Sequence, residues 1–284
     1  MQAEERFFDS DGVAIRYLEA GRGEPVILVH GYNYDTEQQW VEPGVFDGLA
    51  ARYRVIGFDA RGHGKSGKPH ERRFYGLEMA RDVPRLLDQL GIGRAHIIGY
   101  SMGGHIVANL LTMNPERFVT ATLGGAAGRR NWTAEDQRRV EIEAEEMEQG
   151  LLRTQLLRLW PKDRPLPSDE EIRRRSAKSL AGKDVLALAA IRRSNGDQVV
   201  TDRELAAVTV PTLAIVGADD PYRTDLEALK KIMPQLKLVT VPGATHGSAP
   251  SKPEFVDALM AFLATHPAGE SGPSGSPPGA RSSH

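Results

Sequence analysis

The chain contains no cysteine, which excludes disulfides, thiolate metal sites, iron–sulfur clusters and a cysteine nucleophile together. Any covalent catalyst has to use another side chain. Net charge is nearly absent too, since 36 Lys and Arg against 38 Asp and Glu leave −2. The long-range field that draws proteins to nucleic acid or anionic membranes is therefore missing, and no nucleic-acid partner is expected. Long apolar runs are also lacking, so no membrane span is expected. The amino-terminal MQAEERFF carries charges where a secretory signal needs an unbroken apolar stretch. A soluble, cytoplasmic chain is the expectation. The eight histidines show no metal-ligand spacing, so neither a metal nor a cofactor is expected.

What is present is a rhythm. The 284 residues suit one large α/β domain or two small ones. Short apolar runs (VAIRYLEA, PVILVHG, YRVIGFDA, AHIIGYS) alternate with helical patterns, and FVTATLGG, TLAIVG and LKLVTVPG continue them. That alternation argues for a mostly parallel sheet with helices on its faces. Helices are expected over 77–90, 102–113 and 252–266, and Thr224 with Glu227 forms a capping-box pattern for a helix after TLAIVG.

Between 128 and 208 the rhythm stops, and the segment becomes charged, leucine-rich and helical in period, as an inserted helical cap would be. The expected division is a core of 1–127 and 209–266, a cap of 128–208, and a disordered Gly/Ser/Pro tail of 267–284. The runs EIEAEEMEQ (141–149) and IRRRS (172–176) read as solvated helix faces, with Arg139 and Glu143 paired at helical spacing. Trp132, Leu151, Leu152, Leu156, Leu157, Leu159 and Trp160 suggest an apolar underside, and the same residues at helical spacing also suit the cap's own packing core.

The strongest chemical signal is Gly99-Tyr100-Ser101-Met102-Gly103-Gly104, a G-x-S-x-G pattern directly after a strand and directly before a helix. Glycines on either side remove side chains that would collide in a sharp strand-to-helix turn, so Ser101 is held strained with its hydroxyl exposed. A serine needs a base, and the base needs a third group to fix its tautomer. His246 follows the last strand in VPGATHGSAP, while Asp219 and Asp220 follow TLAIVGA, so all emerge at the carboxyl edge of one sheet. An oxyanion needs two backbone N–H donors. Met102 supplies one, as the residue after the nucleophile, and Tyr32, opening the loop after His30-Gly31, supplies the other; the His30 side chain is read as structural. GHGKSGK (62–68) nearly spells a phosphate-binding loop, but Pro69 stands where Ser or Thr must be. Asn131-Trp132-Thr133 is a glycosylation sequon with no signal peptide to bring it to the machinery.

Together HGYNYD, FDARGHGKS, GYSMGG, GADDP and GATHG, spread over roughly 12–266, resemble the α/β-hydrolase superfamily, in its branch of small serine esterases with a helical cap. The resemblance implies a mostly parallel sheet of about eight strands, helices on both faces, and a cap inserted after the sixth strand. It also implies Ser101 as nucleophile, His246 as base, Asp220 rather than Asp219 as acid, and Tyr32 and Met102 as oxyanion donors. The implied activity is a serine carboxylesterase acting on a small apolar ester. Related acyl chemistry on the same triad (C–C bond hydrolase, lactonase, thioesterase, perhydrolase) and a ligand receptor on this fold are the alternatives. Carbon–carbon bond hydrolases of this fold usually carry a glycine-rich loop after the His-Gly and a tryptophan after the catalytic histidine; here Tyr32-Asn33 and Gly247 stand there. Oligomeric state leaves no mark in the sequence.

Overall fold

Val26 and Leu28 of PVILV turn to one face of a sheet and Ile27 and Val29 to the other, so the run is apolar on consecutive residues, as a strand covered on both sides has to be. The computed structural model describes residues 3–161 and 164–268; nearly all of the expected tail lies outside them. Its strands are β1 (Glu4–Asp9), β2 (Ala14–Ala20), β3 (Pro25–Val29), β4 (Arg54–Phe58), β5 (Ala95–Tyr100), β6 (Phe118–Gly124), β7 (Thr212–Gly217) and β8 (Lys237–Val241). They form one sheet in the order β1-β2-β4-β3-β5-β6-β7-β8. β1 and β2 are antiparallel to their neighbours and the remaining pairings are parallel. The run-by-run reading finds seven of the eight strands. It passes over β1, where only Phe8 is buried and the sequence carries no apolar pattern.

The helices are α1 (Val45–Ala50), α2 (Leu77–Gln89), α3 (Met102–Met113), α4 (Ala134–Glu148), α5 (Arg153–Arg158), α6 (Asp169–Leu180), α7 (Val185–Arg193), α8 (Asp202–Ala206), α9 (Arg223–Ile232) and α10 (Pro253–Ala264). Leu49 of α1 and Leu259 of α10 pack on one face of the sheet, and Leu86 of α2, Leu110 of α3 and Leu226 of α9 on the other. Helices α4 to α8 fall between β6 and β7, where the strand rhythm breaks. No helix among the described residues is long and apolar enough to cross a membrane.

Two local expectations are overturned. Helix α9 starts at Arg223 with no side-chain cap at its start, and Glu227 pairs with Arg223 instead of closing a box with Thr224. The turn before it is set by Asp220, whose Oδ1 accepts the Tyr222 amide at 2.9 Å, so the helix begins too early for Thr224 to cap it. In α4, Arg139 pairs with Asp136, while Glu143 is 3% exposed. The acidic run is thus a solvated face only in part, because one of its carboxylates turns inward to meet arginines from α5 and α7. Thr133 of the sequon caps α4, accepting the Asp136 amide at 3.1 Å.

Candidate active site

Ser101 joins β5 to α3 with φ +53° and ψ −109°, a conformation that is strained for a residue with a side chain. The backbone comes so close that side chains are excluded around it. A Cβ on Gly99 would stand 2.2 Å from the Gly103 carbonyl oxygen, and one on Gly103 would stand 2.0 Å from that of Val29. These glycines let the turn close tightly enough to lift the serine above the carboxyl edge of the sheet.

His246 Nε2 lies 3.0 Å from Ser101 Oγ, and its Nδ1 lies 2.8 Å from Asp220 Oδ2. With Nδ1 donating to the carboxylate, Nε2 is free to accept the serine proton. Asp220 is 4% exposed, whereas its neighbour Asp219 faces solvent and approaches the loop only through its amide, which donates to the Ala244 carbonyl. His246 is held from two further directions, one at its backbone and one at its ring. The Tyr100 hydroxyl donates to the His246 carbonyl at 2.5 Å, and the Tyr222 ring stands edge-on at 5.3 Å. Gly125, at the end of β6 with φ +58°, leaves room for the ring: a Cβ there would be 3.0 Å from His246 Cε1.

The loop after β3 decides which amides face the serine. The Gly31 amide donates to Gln39 Oε1, that of Asn33 to His63 Nε2, and that of Tyr34 to the Gly31 carbonyl. Among the described residues, the amides of Tyr32 and Met102 have no hydrogen-bond acceptor, and both residues line the cavity beside Ser101. Two buried histidines hold this loop. His30 accepts the Ala60 amide on Nε2, so its Nδ1 carries the proton and donates to the Gly31 carbonyl at 2.8 Å. His63 donates from Nδ1 to the Arg61 carbonyl. Burial pushes the pKa of both below the ordinary histidine value, keeping them neutral. Both are structural, as His30 was expected to be. The near phosphate-binding stretch folds on itself, with the Lys68 ammonium donating to the Gly64 and Ser66 carbonyls.

Above the serine lies a cavity of about 650 Å³. Of the residues expected as an apolar underside, Trp132, Leu152, Leu156, Leu159 and Trp160 line it, and Leu151 and Leu157 do not. The lining also contains seven arginines against three carboxylates, which the sequence reading did not foresee. Arg158 and Arg192 share Glu143, at 3.0 and 3.1 Å, and their charges hold its pKa down against burial. Arg192 also lies over the Tyr32 ring, 3.7 Å from its centroid, and the Tyr32 hydroxyl donates to the Leu188 carbonyl of α7 at 2.8 Å. Burial drives the Tyr32 phenol far above its usual range. Arg158 reaches the Tyr222 hydroxyl. His105, one turn beyond Ser101 on α3, also lines the cavity. Burial, reinforced by the charge of Arg129, pushes its pKa well below the usual value.

Glu143, Arg192 and Tyr222 thus support the site from distant elements, and sequence reasoning missed them. The available signal was the clustering of arginines at 129–130, 158 and 192–193, which the balanced net charge conceals. Among the described residues no group of acidic and histidine side chains could hold a metal ion.

This arrangement, a strained serine hydrogen-bonded to a histidine that is oriented by a buried aspartate, rises from the carboxyl edge of a mostly parallel sheet and belongs to hydrolases that work through an activated nucleophile. Residues 24–253 match the family described as alpha/beta hydrolase fold, and the chain belongs to that family. It is 30% identical over 272 residues to the 2-hydroxy-6-oxo-6-(2'-aminophenyl)hexa-2,4-dienoic acid hydrolase of Metapseudomonas resinovorans, covering 91% of this chain and 90% of that one. It is 29% identical to 3-oxoadipate enol-lactonase 1 of Acinetobacter baylyi, covering 76% and 80%. Among solved structures, a protein from a study of carboxylesterases of Nitrososphaera gargenis superposes with a TM-score of 0.72 at 25% identity, covering 92% of this chain and 98% of that one.

Proposed function

We propose that this hydrolase cleaves carboxylic esters through an acyl-enzyme. His246 takes the Ser101 proton as Oγ attacks the ester carbonyl, and the amides of Tyr32 and Met102 hold the resulting oxyanion. The intermediate collapses with the C–O bond breaking, and the alcohol leaves with the proton from His246. Water, deprotonated by the same imidazole, then attacks the acyl-serine, releases the acid and restores the Ser101 hydroxyl. Asp220 keeps the imidazole in the required tautomer and stabilises its charged form. The segment 128–208 acts as the lid that selects the substrate without contributing a reacting group. The single observation carrying this reading is the Ser101–His246–Asp220 chain at 3.0 and 2.8 Å beneath two unpaired amides.

A second reading is favoured by the Metapseudomonas resinovorans relative, whose name describes hydrolysis of a dienoic acid. On this reading the same serine and histidine would serve carbon–carbon cleavage.

The test is covalent labelling. A fluorophosphonate should modify Ser101, located by mass spectrometry. Ser101→Ala should stay folded while losing roughly three to six decades of kcat on nitrophenyl esters. Labelling at another residue, or turnover near wild type in the variant, would overturn the assignment. Turnover of a 2-hydroxy-6-oxo dienoate faster than of any ester would favour the second reading.

A further inference from the structure

The charge around the cavity does not balance. Three of the lining arginines are matched: Arg130 with Asp202 at 2.8 Å, Arg139 with Asp136 at 2.7 Å, and Arg175 with Glu171 at 2.5 Å. Arg158 and Arg192 divide one carboxylate, Glu143. Arg129, just beyond β6, has no carboxylate within salt-bridge distance among the described residues. Its Nη2 donates to Asn195 Oδ1 at 2.9 Å, and its buried Nε has no acceptor among the described residues. Asp225, the remaining acid of the lining, makes no salt bridge with these three, and burial raises its pKa against the opposing charge of Arg130. Three guanidiniums therefore face one carboxylate.

A cation enclosed without a counter-charge is expensive. Burial together with the charges of Arg192 and Arg158 pushes the Arg129 pKa down to about 9. Ordinary folding stability gives no reason to keep it, since an apolar side chain would fill that place at lower cost. A bound anion removes the penalty. Guanidinium favours planar oxyanions, which it meets with two parallel N–H donors, and one carboxylate would lower the surplus without reversing it.

We propose that the substrate carries, apart from the carbonyl attacked by Ser101, a carboxylate that docks on Arg129 within the arginine-lined end of the cavity. The proposal rests on the ester-cleaving reading and names the substrate class of that same site: acyl compounds that are also small organic acids. The lid leucines and tryptophans cover the carbon chain between the two ends. The reaction expected to supply such a substrate is one that leaves a free carboxylate in an ester or lactone precursor.

The experiment compares mono-4-nitrophenyl glutarate with 4-nitrophenyl valerate, a neutral ester of similar length, on the full chain. The wild type should prefer the charged ester by about tenfold or more in kcat/KM, mainly through KM, with the preference shrinking as salt rises. Arg129→Gln should erase the preference, and Arg129→Lys, which keeps charge but loses the fork, should retain part of it. Because Arg129→Gln could misfold, a second measurement uses glutarate itself, titrated calorimetrically into the Ser101→Ala protein. Binding weakened by salt supports the site. Equal or better use of the neutral ester by the wild type, together with no glutarate binding, overturns the proposal. Inhibition of the wild type by inorganic phosphate as strong as that by glutarate overturns the assignment to a carboxylate. Failure of both esters to turn over while glutarate still binds would count against ester cleavage and leave the anion site standing.

Discussion

Below the cavity, the proposed reacting groups are held by backbone: glycines that admit no side chain, amides used in sequence along one loop, and two neutral histidines pinned to carbonyls. Above it, the groups are held by charge, with Arg158 and Arg192 fixed on Glu143 and Arg192 laid over Tyr32. The floor is specified by short motifs of a few residues that the strand ends bring together, the roof by single charged residues paired across 15 and 49 positions. A floor of this kind loses its geometry when a glycine gains a side chain, and a roof of this kind is altered by changing a single charge.

The comparison breaks most sharply at the acid of the floor. Asp220 is buried against the imidazole and Asp219 is exposed. Asp220→Asn should therefore lower kcat by about four orders of magnitude through the wrong histidine tautomer. Asp219→Asn should change it only several-fold. Steady-state kinetics on a nitrophenyl ester decide the matter, and the reverse order of damage would make Asp219 the acid.

A change in the roof should act differently. Glu143→Gln leaves two enclosed guanidiniums without a counter-charge, at a cost of about 3 kcal/mol or more. Asp136→Asn, which removes a partly exposed pair within the same helix, should cost less than about 1 kcal/mol. Denaturant unfolding measures both. Glu143→Gln should also raise KM more than it lowers kcat, because it frees Arg192 from its place over Tyr32 while leaving the imidazole and its aspartate in contact. A kcat loss approaching that of Asp220→Asn would mean that the roof takes part in the chemistry.

The same contrast explains what could be read in advance. G-x-S-x-G, the two Asp residues before Pro221, and the small-residue loop around His246 are short-range patterns whose geometry follows from glycine, proline and strand ends, so the floor was legible. So were the consecutively apolar strands β3 and β5 and the helices α2, α3 and α10, each found within two residues of its ends. β1 was not, because an exposed edge strand needs no apolar alternation. Glu143 was not, because a glutamate among glutamates reads as solvent-facing until the arginines that bury it are brought up by the fold. The Thr224–Glu227 pattern misled for a related reason: Asp220, placed by its bond to His246, starts the turn first.

The smallest expected effect concerns the neutral histidines. His30, His63 and His105 all have folded pKa values lowered by burial, whereas in the unfolded chain they titrate at about 6.5. Above that value both states are uncharged at these positions and pH has no leverage through them. As pH falls through it, the unfolded chain takes up protons first, so stability drops by up to about 1.4 kcal/mol per pH unit for each histidine until its folded pKa is reached. Tm should accordingly fall between pH 7.5 and pH 5. His105 is the position to test, because its Nδ1 makes no hydrogen bond among the described residues and its replacement disturbs no loop contact of the kind His30 and His63 make. His105→Gln should flatten the acid side of the Tm profile by one histidine's share. A profile parallel to wild type would show that burial does not hold the His105 imidazole neutral.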